Sequence, residues 1–161
     1  MLPAYITAVL TSLHVVCLLC ELYIDVQSLR LSRFHALTRS KCFHHTFIYL
    51  FAMMGQSAMF FMLILDFLFA VIIPLRHRMF TSLHYVFYMC LPPFLFAFVT
   101  VIFCFFFMND DLIDFCTPAQ TFPRKIAFIS YAVNGMNIAT LVLLLSVFVI
   151  VRKSQAGTIC L

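Results

Sequence analysis

Charged side chains in this chain are clustered, and long apolar stretches separate the clusters. Leu2–Cys20 holds no Lys, Arg, Asp or Glu, and the apolar run continues past Glu21 to Ile24. Phe43–Leu75 holds a single acid, Asp66, while Leu83–Asn109 and Ile126–Val151 hold no Lys, Arg, Asp or Glu. A helix crossing the hydrocarbon core needs about 20 apolar residues, whereas a barrel strand needs about 9–11. Four stretches therefore predict membrane-spanning helices, at about 3–24, 43–73, 83–108 and 126–151. None has the sustained apolar/polar alternation of a barrel strand. In lipid a backbone must satisfy its own N–H and C=O groups, which makes helix the physical reading of each run. The connections 25–42, 74–82 and 109–125 and the tail 152–161 are short and polar, too short for a soluble domain. The expected fold is all-α: a single domain, residues 1–161, of four transmembrane helices.

Composition closes the other classes. Hydrophobic residues make up 65% and charged residues 10% of the chain, against about 45–50% and 25% in soluble globular domains. So few charges cannot cover a soluble surface, and 21 Phe exclude a polar, disordered chain. The first run lacks a basic leader and exceeds the usual apolar length of a signal peptide, so it reads as a span. Four spans place both termini on one side. The first and third loops carry six cations (Arg30, Arg33, Arg39, Lys41, Arg124, Lys125), against four (Arg76, Arg78, Arg152, Lys153) in the second loop and tail. By the positive-inside rule this leans toward cytoplasmic longer loops.

The candidate chemistry is sparse. Cys17, Cys20, Cys90 and Cys104 lie in spans and act there as small apolar residues, while Cys160 sits in the tail. Cys42 and Cys116 border loops on one side of the membrane. If that side is oxidising they can pair, closing a loop of about 75 residues and contributing about 4 kcal/mol; position alone leaves the pairing open. Cys42, His44 and His45 also lie close together, but zinc takes about four ligands, and the histidines read as interfacial. No metal or cofactor is expected. One intramembrane Asp, isolated Ser residues and His14 supply no nucleophile–base pattern, so no enzyme is expected. The bilayer is the expected partner, and nucleic acid is not.

From Cys42 to Arg78 the chain reads CFHHTFIYLFAMMGQSAMFFMLILDFLFAVIIPLRHR. Asp66 follows Cys42 by 24 positions and precedes Pro74 by eight. This resembles the third helix and second intracellular loop of rhodopsin-like G-protein-coupled receptors, where a Cys opens the helix outside, an Asp-Arg-Tyr motif closes it inside, and a Pro-Leu-Arg-Tyr stretch follows. The Cys-Phe opening and the mid-helix Gln look like nematode chemosensory serpentine receptors, particularly class sx. On that resemblance the four spans correspond to the second to fifth helices of a seven-helix bundle, and NDDLIDFCTP to the second extracellular loop. It implies a Cys42–Cys116 disulfide, an extracellular side bearing both cysteines, cytoplasmic termini and a plasma-membrane location. This orientation opposes the charge lean. It implies an extracellular chemical or peptide ligand and a heterotrimeric G protein facing Asp66, Phe67, Pro74, Arg76 and Arg78.

The chain departs from the pattern in several places. The first, sixth and seventh helices are not matched, which raises the expectation of a truncated form that associates with other receptor chains and signals poorly alone. Phe67 stands where the motif has Arg, leaving Asp66 to protonate, face interfacial water or turn to Arg76 and Arg78. His14 stands where the second helix usually carries Asp. Gln56 lies ten residues before Asp66, about 15 Å up the helix, so both are expected near mid-membrane, either as a polar cluster joined by an interhelical hydrogen bond or as two unconnected polar residues facing a cavity. Neither carries a negative charge, so sodium is not expected. Pro92 and Pro93 are expected to kink the fourth-helix equivalent. Asn134 and Asn137, with Ser130, share a face that either lines a pocket or joins helices. The alternative to a receptor is a non-signalling tetraspan protein with a structural or adaptor role.

Overall fold

A computed structural model describes residues 2–31, 37–72, 83–113 and 116–158. Four long helices dominate: α1 (Leu2–Leu31), α2 (Arg39–Ile72), α3 (Leu83–Phe106) and, after the short α4 (Pro118–Thr121), α5 (Ala127–Thr158). A 3-10 turn, Arg124–Ile126, leads into α5. Among the described residues, four segments are long and apolar enough to cross a membrane: Tyr5–Gln27, Arg39–Ile72, His84–Phe106 and Arg124–Lys153.

The first and last helices outrun their apolar runs, whereas α3 ends at Phe106, two residues short of the expected 83–108. α1 continues seven residues past Ile24, and α5 seven past Val151. The added residues, among them Gln27, Leu29 and Arg30 in α1 and Arg152, Lys153, Gln155 and Ala156 in α5, are mostly good helix formers. Once nucleated in lipid, a helix stops where its propensity fails, not where its hydrophobicity does. At 30 residues, α1 spans about 45 Å, enough to cross the headgroup layers as well as the core. Pro92 and Pro93 lie inside α3, which continues through both.

α2 is the hub. α1, α3 and α5 each pack mainly on it, and α1 touches α3 more lightly. One buried cluster joins α2 (Phe43, Leu50, Met54) to α3 (Ala97, Val101, Cys104), to Ile126 of the 3-10 turn and to the start of α5 (Ile129, Val133). A second joins α1 (Ile6, Leu13, Cys17) to α2 (Ala52, Met59), with Val86, Met89, Cys90 and Phe94 of α3 against it. At the crossing, a Cβ added to Gly55 would meet the Ala97 Cβ at 3.7 Å and Leu13 Cδ1 at 3.8 Å. Small residues let helix backbones approach where lipid supplies no hydrophobic drive for helices to associate.

Most other apolar side chains point outward, as lipid permits. The buried residues of α5, Ile129, Val133 and Val147, form one stripe, and Phe128, Tyr131, Ile138, Leu141 and Phe148 around it are exposed. Several Ser and Thr hydroxyls inside the spans are satisfied locally: Thr11, Thr46, Thr100, Thr140 and Ser146 each donate to a carbonyl one turn back in their own helix.

Candidate functional site

The end of the bundle that carries the disulfide is capped by the α3–α5 connection. β1 (Leu37–Thr38) pairs antiparallel with β2 (Leu112–Ile113), Leu37 opposite Ile113. The first residue of α2, Arg39, then ties the connection down: its backbone N–H donates to the Asp111 carbonyl at 2.9 Å. Arg39 is only 7% exposed, and its side chain donates from Nε to the Gln120 carbonyl at 3.1 Å and from Nη1 to Asp111 Oδ2 at 3.2 Å. Three residues on, Cys42 is bonded to Cys116, with their Cα atoms 5.5 Å apart. Cys42 is therefore not available as a thiolate ligand beside the histidines. Thr117 caps α4 by accepting from the Gln120 N–H, and Pro118 fills its first turn. The Thr121 hydroxyl, which donates to the Thr117 carbonyl, sits 3.1 Å from Cys42 Sγ.

Arg39, counted in the sequence as a loop cation, is the first residue of α2 and pairs with Asp111. Asp111 is itself largely exposed, which limits what the ion pair contributes. Replacing Arg39 with Met should cost about 1–2 kcal/mol, chiefly through the lost charge-assisted bonds. It should also speed proteolysis of the 109–125 connection. Unchanged protease resistance would show that the disulfide holds the cap without Arg39.

Beneath the cap lies a cavity of about 520 Å³. α2 contributes Leu50, Met53 and Met54 to its wall; the cap contributes Pro118, Phe122 and Pro123. Arg124, Ala127 and Ser130 complete it at the start of α5, so one cation and one hydroxyl face an otherwise apolar space. Of the three polar α5 positions singled out in the sequence, only Ser130 lines it; Asn134 and Asn137 are exposed on the helix surface.

A seam of polar contacts runs between the antiparallel α1 and α2. From the disulfide end, Tyr23 Oη lies 3.2 Å from His45 Nδ1, the Tyr49 hydroxyl donates to Glu21 Oε1 at 2.9 Å, and the Gln56 amide donates to His14 Nδ1 at 3.2 Å. The last bond requires the proton of a neutral His14 ring to sit on Nε2. Sequence reasoning named His14 and Gln56 and read His45 as interfacial, but missed the contacts of Glu21, Tyr49 and Tyr23. The signal was present: His45, Tyr49 and Gln56 are spaced four and seven apart, and His14 and Glu21 seven apart, so each set shares a helix face. Substituting His14 and Gln56 with Leu, singly and together, should give a coupling energy of about 0.6–1.7 kcal/mol in a double-mutant cycle. A coupling of zero would mean that the bond contributes nothing to stability.

At the far end of α2, Asp66 accepts a hydrogen bond from the Tyr85 hydroxyl of α3. Asp66 thus has a neutral partner from the neighbouring helix, one the sequence did not suggest. Phe67 beside it is 60% exposed. With Leu63 and Ile64 it forms one wall of a groove of about 340 Å³, whose other wall is Leu144, Val147, Phe148 and Val151 of α5. Pro74, Arg76 and Arg78 lie outside the described residues.

A cap held by a Cys42–Cys116 disulfide over four membrane-spanning helices matches what the receptor resemblance implies, and the comparison with family profiles agrees. The profile described as "Serpentine type 7TM GPCR chemoreceptor Srsx" matches residues 3–159. The chain belongs to this family. No curated protein and no solved structure matches it. Srsx membership makes the chain an integral membrane protein of a chemoreceptor family, and it disfavours the unrelated tetraspan adaptor.

Proposed function

We propose that this Srsx chain contributes to sensing a small external chemical, which enters the cavity beneath the cap. The observation that carries the reading is that cavity. Its wall is apolar and includes Met53, Met54 and Phe122, with Arg124 and Ser130 as the polar groups. Such a site suits a compact, mostly apolar molecule bearing one anionic or hydrogen-bonding group. In this reading the disulfide end faces outward, both termini face the cytoplasm and the chain sits in the plasma membrane. The far end of α2, with Asp66, Phe67, Pro74, Arg76 and Arg78, faces the transducer side. Phe67 supplies neither charge nor hydrogen bond there, so any coupling to a heterotrimeric G protein must use other groups, or a companion receptor chain.

The test is cysteine accessibility in intact cells. Ser130→Cys should react with a membrane-impermeant maleimide well above the unsubstituted background, and a panel of small organic acids and alcohols should contain members that slow the reaction. An introduced thiol that stays unreactive in intact cells, and reacts only after permeabilisation, would overturn the orientation. Reaction that no small molecule slows would count against a ligand cavity.

A further inference from the structure

The charge lining the cavity beneath the cap is of one sign. Arg124 is the only cation among its lining residues, and no Asp or Glu lines it. Arg39, at the same end of the bundle, is committed to Asp111 and to the Gln120 carbonyl. The Arg124 guanidinium makes no ion pair and no hydrogen bond among the described residues. Ser130 differs from its neighbours in the same way. Thr100 and Thr140 direct their hydroxyls to carbonyls of their own helices, whereas the Ser130 hydroxyl has no hydrogen bond among the described residues. Both groups are open to a bound molecule.

Arg124, Ala127 and Ser130 are spaced three apart, so they share one face of the 3-10 turn and the helix that follows. The two polar groups thus edge the cavity from backbone positions about 9 Å apart. The rest of the wall, including Met53, Met54 and Phe122, is apolar. The polarity of this wall does not depend on what closes the remaining side of the cavity.

One guanidinium balances one negative charge, and a carboxylate meets its planar fork with two parallel N–H···O bonds. A phosphate monoester would bring nearly two negative charges to that single cation. An amine would set positive charge beside Arg124 with no lining carboxylate to receive it. An alcohol or amide would leave the guanidinium without a counter-charge.

On the reading of this cavity as the ligand site, we propose that it selects small monocarboxylates. The carboxylate pairs with Arg124, a hydroxyl or carbonyl further along the molecule meets Ser130, and the apolar body lies against Met53, Met54 and Phe122. Arg124 then sets the class of ligand.

The chain contains no Trp, so Phe122→Trp puts a single fluorophore in the cavity wall of the full chain, held in a lipid nanodisc. The probes are arylalkanoic acids of graded length, each with the primary amide, the alcohol and the amine of the same skeleton. At least one acid should shift the emission saturably and bind about 10- to 100-fold tighter than its amide or alcohol, with the amine weakest. Adding Arg124→Gln should abolish that preference, and Arg124→Lys should keep part of it, because the charge stays while the fork is lost. Lys125→Gln removes a neighbouring cation outside the cavity lining and should change the preference by no more than about twofold. Circular dichroism and mapping of the Cys42–Cys116 bond establish that each variant folds. Acids that bind no more tightly than their amides, or a preference that survives Arg124→Gln or falls equally with Lys125→Gln, overturn the proposal and leave the ligand cavity standing. No saturable response to any compound overturns both.

Discussion

Cys116→Ser should remove about 4 kcal/mol of stability. The bond spans a sequence separation of 74, and a cross-link closing a loop of that size restricts the unfolded chain by about this amount. Much of the cap depends on it. The two-residue β1–β2 pairing and the four-residue α4 are too short to hold by themselves. Arg39 would then hold the 109–125 connection nearly alone, and the cavity below would lose the wall made by Pro118, Phe122 and Pro123. Denaturant titration in detergent, with the oxidised chain as reference and Cys42→Ser in parallel, checks this. The two serine variants should lose the same amount, because each removes the same bond. A loss below about 1 kcal/mol in both would mean that the cap is held by its other contacts.

The second large effect is at the helix crossing. Gly55→Leu should destabilise by about 3 kcal/mol, near the upper end for overpacked cores, because the new side chain would wedge two interfaces at once. Ala97 of α3 and Leu13 of α1 both stand within 4 Å of where its Cβ would be, and Ala97 is fully buried. Gly55→Ala should behave in the opposite way. Distances of 3.7 and 3.8 Å are ordinary contact for a methyl group, and Ala is the better helix former. The Ala variant should therefore be neutral or gain up to about 1 kcal/mol. Unfolding of both variants beside the parent decides the point. A Leu variant as stable as the parent would mean that α1 and α3 can separate from α2 at no cost.

Much of the fold was legible. Apolar runs with at most one charge located the four helices, because in lipid hydrophobicity and span length are nearly the same information. The offsets from Cys42 to Asp66 and Pro74 pointed to the receptor family that the Srsx profile then matched. The helix ends were less legible, since α1 and α5 continue on propensity after the apolar runs stop. The cap was largely hidden. Arg39 and Asp111 are 72 residues apart, and nothing local marks them as partners; only the folded connection brings them together. Tyr85 was overlooked for the same reason, because its bond to Asp66 crosses from α3 to α2. Within the α1–α2 seam, depth along each helix was readable by counting, but which faces meet depends on the rotation of both helices. Close packing around Gly55 sets that rotation.

The dominance of α2 has a mechanical consequence. With three neighbours leaning on one rod and only lightly on one another, the bundle is braced like a tent on a single pole. A twist or tilt of α1 or α5 can relax separately, whereas any tilt of α2 is felt at both ends together. One end bears the disulfide and the other bears Asp66, 24 residues and about 36 Å away. A single continuous helix thus joins the two surfaces of the bilayer. No proline interrupts it between those points, and its glycine there, Gly55, is braced by Ala97 and Leu13 rather than free to bend.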